Sequence, residues 1–107
     1  MTRPRRLVVC LGTATGVGKT WLGATVLADL RRRGAAVSAR KPAQSFAPDA
    51  DEPTDAQVLA SASGERSTQV VPEHRSYPVA LAPPMAAARL GWPAPLQAQL
   101  LDELRWT

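Results

Sequence analysis

The stretch that decides the fold of this chain is Gly12-Thr13-Ala14-Thr15-Gly16-Val17-Gly18-Lys19-Thr20. It follows the apolar run Leu7-Val8-Val9-Cys10-Leu11 and precedes a helix-like segment at residues 21–33. A strand, a glycine-rich loop and a helix in this order are typical of a phosphate-binding loop, in which main-chain N–H groups and the positive end of the helix face phosphate oxygens. In such a loop Lys19 reaches the β- and γ-phosphates and the Thr20 hydroxyl ligates Mg²⁺. The sequence therefore predicts a nucleoside triphosphate site.

The spacing of this loop differs from the common pattern G-x-x-x-x-G-K-[ST]. Gly12 lies one residue earlier than that pattern requires, so the loop is G-x5-G-K-T. The preceding strand and following helix still favour phosphate binding, because they supply the backbone context that the chemistry needs. The alternative is an ordinary turn between a strand and a helix that happens to contain Gly-Lys-Thr.

The use of lysine supports the same prediction. The 107 residues include 13 Lys and Arg, but only Lys19 and Lys41 are lysines. A lysine ammonium is a compact charge, whereas the arginine guanidinium is a planar fork. Keeping lysine at two places indicates that a compact cation is needed there.

Length and charge limit the classes of protein that fit. A chain of 107 residues has room for one small domain. No apolar run approaches a membrane span or a signal-peptide core, so we expect a cytoplasmic protein without membrane contact. The net charge is +4, but the densest basic cluster, Arg31-Arg32-Arg33, suits the C-terminal end of a helix, and we expect no nucleic-acid partner. Cys10, in the first predicted strand, is expected to be a buried apolar residue.

The pattern of apolar residues, Gly and Pro predicts a parallel, right-handed βαβ unit followed by helices. Its strands are predicted at residues 7–11 and 36–41, with the helix between them at 17–33. Further helices are predicted at 55–61 with Thr54 as the N-cap, from Pro84 to Leu90 with Gly91 at the end, and at 95–104. Residues 44–53 are predicted to be a loop at the ligand-binding edge of the sheet, and 66–84 to be irregular.

With these elements placed, the chain resembles the dethiobiotin synthetase family. The likeness extends from Leu7 to about residue 104. It depends on the glycine-rich loop and on three further motifs: Lys41-Pro42-Ala43-Gln44-Ser45, Thr54-Asp55, and Tyr77-Pro78 followed by Leu81-Ala82-Pro83. The family's loop has the same extra residue before Gly-Lys-Thr.

The resemblance implies an α/β fold, a three-layer α/β/α arrangement like that of P-loop NTPases, with a parallel sheet that is truncated after about two strands. Residues 1–107 would be the N-terminal part of a single domain, with the C-terminal half absent. The implied reaction uses ATP and Mg²⁺ to close a ring from 7,8-diaminononanoate and CO₂. The diamine forms a carbamate, ATP phosphorylates it, and the second amine displaces phosphate. A homodimer is also implied.

The resemblance also assigns roles to single residues. Lys41 and Lys19 would be catalytic, Ser45 would contact the substrate, and Thr20 and Asp55 would bind the metal. The nucleotide would be held by a set of loop and helix residues together with Asp55: Gly16, Val17, Gly18, Lys19, Thr20 and Trp21.

Each of these assignments has a plainer alternative. Lys41 could be a solvated strand end, Ser45 a loop hydroxyl, and Asp55 a partner of the helix dipole. His74 is expected to be a loop residue and not a ligand.

Several positions depart from the family pattern. Ala14, Phe46 and the pair Pro84-Met85 differ from the usual residues. The family's later Glu-Gly-Ala-Gly-Gly segment, whose Glu is another Mg²⁺ ligand, is not found in this chain. A non-catalytic nucleotide-binding remnant and a P-loop ATPase of the partition or cobyric-acid type therefore stay open as alternatives.

Overall fold

A computed structural model describes residues 4–11 and 18–106. Its helices and strands follow one another in this order: α1 (Lys19–Arg32), β1 (Gln44–Ser45), α2 (Asp55–Ser63), α3 (Ser67–Val70), a 3₁₀ turn (Glu73–Arg75), β2 (Ser76–Tyr77), α4 (Pro83–Leu90) and α5 (Gln97–Asp102). The strands β1 and β2 form a two-stranded parallel sheet, in which Gln44 is opposite Ser76 and Ser45 is opposite Tyr77.

The small α/β architecture with two parallel strands confirms the coarse prediction, but the strands lie elsewhere in the chain. Residues 7–11 and 36–41 are not strands. At the end of the second segment, the Lys41 N–H donates to the Val70 carbonyl at 2.9 Å, and the Ala39 N–H donates to the Glu65 carboxylate at 2.8 Å. A β-ladder needs a neighbouring strand along its whole length. The N–H groups of Ala39 and Lys41 donate instead to two acceptors that do not belong to one strand, so residues 36–41 form no ladder.

The helices agree better with the sequence. Thr54 caps α2 through a reciprocal pair of hydrogen bonds with Gln57, as expected for a capping box. Helix α4 has proline in its first turn and ends at Gly91, which has a φ of +71°. Helix α5 is shorter than the predicted 95–104. The predicted irregular segment, 66–84, contains α3, the 3₁₀ turn and β2, all too short to produce a periodic pattern.

The buried residues form two apolar clusters after residue 38. One consists of Ala39, Ala56, Ala60, Val70 and Val71, with Leu27 and Leu59 packed against it. The other contains Tyr77, Ala86 and Ala87, and the Tyr77 ring lies 5.5 Å from that of Trp92. Helix α1 has no buried residue.

An ion pair fastens α5 to the 3₁₀ turn. The buried Arg75 guanidinium donates to both carboxylate oxygens of Glu103, at 2.7 and 3.0 Å. The His74 Nε2 lies 2.8 Å from the same carboxylate. The Arg75 hydrogen bonds, followed by that of His74, lower the pKa of Glu103 to about 2, and the same pairing raises the pKa of Arg75.

A second ion pair lies beside the first apolar cluster. The nearly buried side chains of Arg40 and Glu65 meet at 2.7 Å. Burial alone would raise the pKa of Glu65, but hydrogen bonds from Arg40, the Ala39 N–H and Ser63 together lower it. The Arg40 guanidinium also lies 5.4 Å from the centre of the Trp106 ring, within cation–π distance.

Two further expectations concern burial and membranes. Cys10 is exposed, so its predicted burial is wrong: the segment around it has no covering layer in the described structure. Within residues 4–11 and 18–106, none of the helices has the length and apolar character needed to cross a bilayer.

Candidate functional site

The first part of the candidate site is the beginning of α1. Gly18 occupies the N-cap position with a φ of +88°, a left-handed conformation that favours glycine. Among the described residues, no side chain caps this helix, and its first turn has no acidic residue. Main-chain N–H groups of the first turn therefore have no partner in the described part of the chain, as in helix starts that bind anions. Gly16 and Val17, also predicted to hold the nucleotide, lie outside the described residues.

Three predicted nucleotide-binding side chains follow Gly18 on α1. Lys19 is exposed, Thr20 is half-buried, and Trp21 is 70% exposed. The side chains are thus accessible from solvent at the open end of the helix. This accessibility fits residues that meet a ligand, although it fits a solvated helix start equally well.

The second part of the site is a contact between Lys41 and Asp55. The Lys41 Nζ donates to Asp55 Oδ2, which closes an ion pair between two partly exposed side chains. Asp55 is the first residue of α2, directly after the Thr54 cap. The structure therefore brings together two of the residues that the sequence predicts in the site, although they are 14 positions apart.

Gln44 ties the start of α2 to the sheet, and the sequence motifs gave it no role. Its buried side chain accepts a hydrogen bond from the Ala56 N–H at 3.0 Å and donates to the Ser76 Oγ at 3.1 Å. It thereby joins the start of α2 to both strands, beside Ser45. Its position between Lys41 and Ser45 in the same motif was the signal that could have identified it.

Helices α1 and α2 begin at the same end of their packed pair. A Cβ built at Gly23 would lie 3.7 Å from Leu59, whereas one built at Gly64, after the end of α2, would lie 2.6 Å from Arg31 near the end of α1. The contacts thus progress in the same direction along both helices, from the N-terminal towards the C-terminal ends. The Lys19 and Asp55 ends therefore point the same way.

The two parts of the site are not joined by side chains in the described structure. No hydrogen bond or ion pair within residues 4–11 and 18–106 links the start of α1 to Lys41 or Asp55. Over those same ranges, no three His, Cys, Asp or Glu side chains cluster as a metal site would require.

The surface cavities in the described part of the chain include two that lie away from these residues. One of about 310 Å³ lies between α1 and α2, and another of about 200 Å³ lies near Arg40 and Glu103. Neither is lined by a predicted site residue. His74, expected to be a loop residue, lies in the 3₁₀ turn and pairs with Glu103.

Three curated proteins are similar to this chain, and each is named ATP-dependent dethiobiotin synthetase BioD. The protein from Mycobacterium avium is 40% identical over 95 residues, which are 89% of this chain and 40% of the relative. That from Mycolicibacterium vanbaalenii is 34% identical over 96 residues, or 90% of this chain and 40% of the relative. That from Aquifex aeolicus is 35% identical over 69 residues, or 64% of this chain and 30% of the relative.

These similarities confirm the predicted resemblance to dethiobiotin synthetases. The chain spans only 30–40% of the length of these relatives. No protein-family model and no solved structure matches the chain significantly.

Proposed function

We propose that this chain supplies the phosphate-binding and lysine-bearing part of an ATP-dependent dethiobiotin synthetase. In this proposal, it works with 7,8-diaminononanoate, CO₂ and ATP to close a cyclic urea for biotin synthesis. The observation that carries the proposal is the Lys41–Asp55 contact beside Ser45 and the start of α2, in a chain similar to three such synthetases. Because the match covers less than half of each relative, the reaction is proposed for the chain within a larger assembly.

The start of α1 would hold the triphosphate. Within the described residues its N-terminal end has no side-chain cap, and an anion at a helix start is stabilised by the helix dipole. Lys19 would neutralise charge on the transferring phosphoryl group, while Gly16, Val17, Gly18 and Trp21 would surround the phosphates. ATP dependence in the names of the relatives supports this assignment.

Lys41 would act on the carbamate. When one amine of the diamine attacks CO₂, an N–C bond forms, a proton leaves the nitrogen and an oxygen becomes anionic. That oxygen then takes the γ-phosphoryl group of ATP and ADP leaves, after which the second amine attacks the carbonyl carbon, loses a proton and expels phosphate. Negative charge stays on oxygens throughout, so a fixed ammonium group lowers the barrier to both steps. Ser45, on β1 next to Gln44, would orient the substrate.

The side chains of Thr20 and Asp55 have the chemistry that Mg²⁺ prefers. Both offer oxygen donors, and Mg²⁺ is usually held by one or two protein oxygens together with substrate phosphates. When bound, the ion would neutralise charge on the β- and γ-phosphates. The Asp55 carboxylate belongs to the first turn of a capped helix, and the cap fixes the position of that turn.

The finer features predicted from the sequence belong to the same proposal. They are the three-layer P-loop NTPase arrangement, the assignment of residues 1–107 to the N-terminal part of one domain, the homodimer and the cytoplasmic location. The two parallel strands and the surrounding helices are compatible with the first of these.

A chimera tests the proposed activity without requiring two chains to associate. The matched region of the Mycobacterium avium synthetase would be replaced by this chain, and phosphate release would be measured with ATP, Mg²⁺, bicarbonate and the diamine. We expect turnover that requires the diamine and falls roughly 10²–10³-fold in Lys41→Ala, the scale of losing one stabiliser of transition-state charge. Arg89→Ala, which removes an exposed cation from α4, serves as the control and should leave turnover unchanged.

Three outcomes would overturn the proposal. Full diamine-dependent turnover in Lys41→Ala would remove the role of that lysine. ATP hydrolysis by the folded chimera that ignores the diamine would favour an ATPase of the partition or cobyric-acid type instead. A folded chimera that binds ATP but does not hydrolyse it would indicate a non-catalytic nucleotide-binding remnant.

A further inference from the structure

Gln44 is a buried amide with a hydrogen-bond partner at each end. Its side-chain oxygen accepts from the Ala56 N–H at 3.0 Å, and its nitrogen donates to the Ser76 Oγ at 3.1 Å. Gln44 is 6% exposed and Ala56 is 2% exposed. Water therefore has little access to these groups, and loss of the amide would leave a buried donor without an acceptor.

The start of α2 is held in two different ways. The Thr54 hydroxyl accepts from the Gln57 N–H at 3.2 Å, and the Gln57 side chain accepts from the Thr54 N–H at 2.8 Å, so this pair of bonds stays within one turn. The bond between Gln44 and Ala56 instead joins residues 12 positions apart and connects the helix to β1. The local pair shapes the end of the helix, whereas the Gln44 bond sets where that end lies relative to the sheet.

The contact between Lys41 and Asp55 needs such an anchor. Asp55 lies between Thr54 and Ala56, directly before the N–H group that Gln44 holds. The side chains of Lys41 and Asp55 are 29% and 41% exposed, and an ion pair of this exposure is too weak to fix a helix in place. The backbone must therefore bring the two groups together, and the Gln44 bond does so from a position three residues after Lys41.

We infer that Gln44 is a positioning residue, which ties the start of α2 to both strands and thereby keeps the Asp55 carboxylate within reach of Lys41. In the reaction it would act through these two residues without touching the substrate. Its effect on turnover rests on the proposed function, whereas the positioning itself can be measured in the 107-residue chain alone.

Replacing the amide by an apolar side chain of similar length tests the positioning. Gln44→Met removes the donor and the acceptor, so hydrogen exchange at the Ala56 amide, followed by NMR, should become roughly 3–10-fold faster. The carboxyl ¹³C resonance of Asp55 should move towards its position in Lys41→Met, in which the ion pair cannot form. Ser76→Ala removes one partner of the amide and should produce smaller changes in the same direction, which keeps the test decisive if Gln44→Met does not fold.

Gln57→Met is the matched control. It makes the same replacement at the same helix end and also removes a hydrogen bond, but the lost bond is the local one to the Thr54 N–H. Gln57 is exposed. We expect the Ala56 exchange rate to stay within about twofold and the Asp55 resonance to stay in place, although the helix end is less stable.

The chimera described above links the positioning to turnover. At a temperature where both variants are fully folded, Gln44→Met should lower kcat for the diamine-dependent reaction about 10-fold, since a small displacement of a catalytic group is costly. The backbone pairing of Ser45 with Tyr77 does not depend on the amide, so the KM for the diamine should change less than about threefold. Gln57→Met should leave both constants unchanged.

An unchanged Asp55 resonance in folded Gln44→Met and Ser76→Ala, or an equal change in Gln57→Met, would overturn the inference. So would diamine-dependent turnover that Gln44→Met does not alter. A chimera without diamine-dependent turnover, in a chain where Gln44→Met alone moves the Asp55 resonance, would remove the proposed function and leave the positioning role standing.

Discussion

Residues 39–106 and the N-terminal part of the chain, residues 4–11 with α1, differ in how they bury apolar surface. All buried apolar residues of the described structure lie in residues 39–106. Helix α1 has none, although it is the longest helix described. The short elements of residues 39–106 thus bury their alanine, valine and tyrosine side chains against one another. The segment at residues 7–11, which has the strongest strand pattern, is not covered by other described residues. An apolar run predicts that something will cover it, but not that the covering layer lies within the same stretch of chain.

The largest effect on this comparison should come from Tyr77→Ala. Tyr77 is 1% exposed and packs with Ala86 and Ala87. Removing its ring should lower the free energy of unfolding by about 3–5 kcal/mol, as for other buried aromatic residues. Urea unfolding followed by circular dichroism measures this change. A loss below about 1 kcal/mol would mean that the second apolar cluster is not packed as described.

Glu103→Gln should have the next largest effect. It leaves the buried Arg75 guanidinium without its charged partner and removes one acceptor from the pair of hydrogen bonds. The expected loss is about 1–3 kcal/mol, the scale of an unsatisfied buried donor. Glu52→Gln, at an exposed carboxylate with no ion pair among the described residues, is the control and should have unchanged stability.

The same pair predicts how stability depends on pH. The pKa of Glu103 is lowered to about 2 in the folded chain, from 4.5, so its contribution is fully present above pH 4.5 and is lost as the pH falls towards 2. Glu65 acts in the same direction, because its pKa is also lowered. Urea midpoints at a series of pH values between 7 and 2 should therefore fall on acidification. The fall should be smaller in Glu103→Gln, and an identical fall in that variant would contradict the ion pair.

The Thr54→Ala variant tests the end of α2 that carries Asp55. Loss of the cap should lower the free energy of unfolding by about 1 kcal/mol, since the Gln57 N–H loses its acceptor. Thr54→Ser keeps the hydroxyl oxygen and should retain most of the stability. Equal destabilisation by both substitutions would show that the methyl group, and not the cap, is responsible.

The smallest effect is expected on the exposed side of α1. Val26 is 48% exposed, so Val26→Ala in the chain alone should change the free energy of unfolding by less than about 0.5 kcal/mol. The same substitution at Val70, which is fully buried, should cost about 1–3 kcal/mol. Similar losses at the two positions would mean that α1 is covered in the free chain, which would remove the difference between the two regions.

Local signals predicted the helices well, and non-local pairing explains the differences. The Thr54 cap, the proline at the start of α4 and Gly91 at its end act within a few residues, so the sequence shows them directly. The strands β1 and β2 are only two residues long and depend on contacts across 32 positions, as between Gln44 and Ser76. Residues 7–11 have the pattern of a strand but no strand partner among the described residues, and pattern alone does not show which segment a strand pairs with.

In the candidate site too, some features could be predicted from sequence motifs, whereas others depend on contacts between distant parts of the chain. The motifs placed Lys41 and Asp55 in one site, and the structure shows them in contact. The position of Gln44 between Lys41 and Ser45 marks it as part of the motif, but its hydrogen-bond partners could not be predicted, because they require knowing that the start of α2 lies against β1. The contact does not test the roles of Lys41 and Asp55, which stay predictions, as do those of Lys19, Thr20, Trp21 and Ser45. Gly16 and Val17 fall outside the described residues.

The common direction of α1 and α2 has an electrostatic consequence. Helices that run the same way place like partial charges side by side at each end, and these repel one another. At the shared N-terminal end, an anion would be attracted to both helices at once and would offset that repulsion. A Cβ at position 23 would lie 3.7 Å from Leu59, an ordinary van der Waals contact. Only a side chain larger than alanine would therefore force the helices apart there, and it would also reduce the attraction of such an anion to both helices.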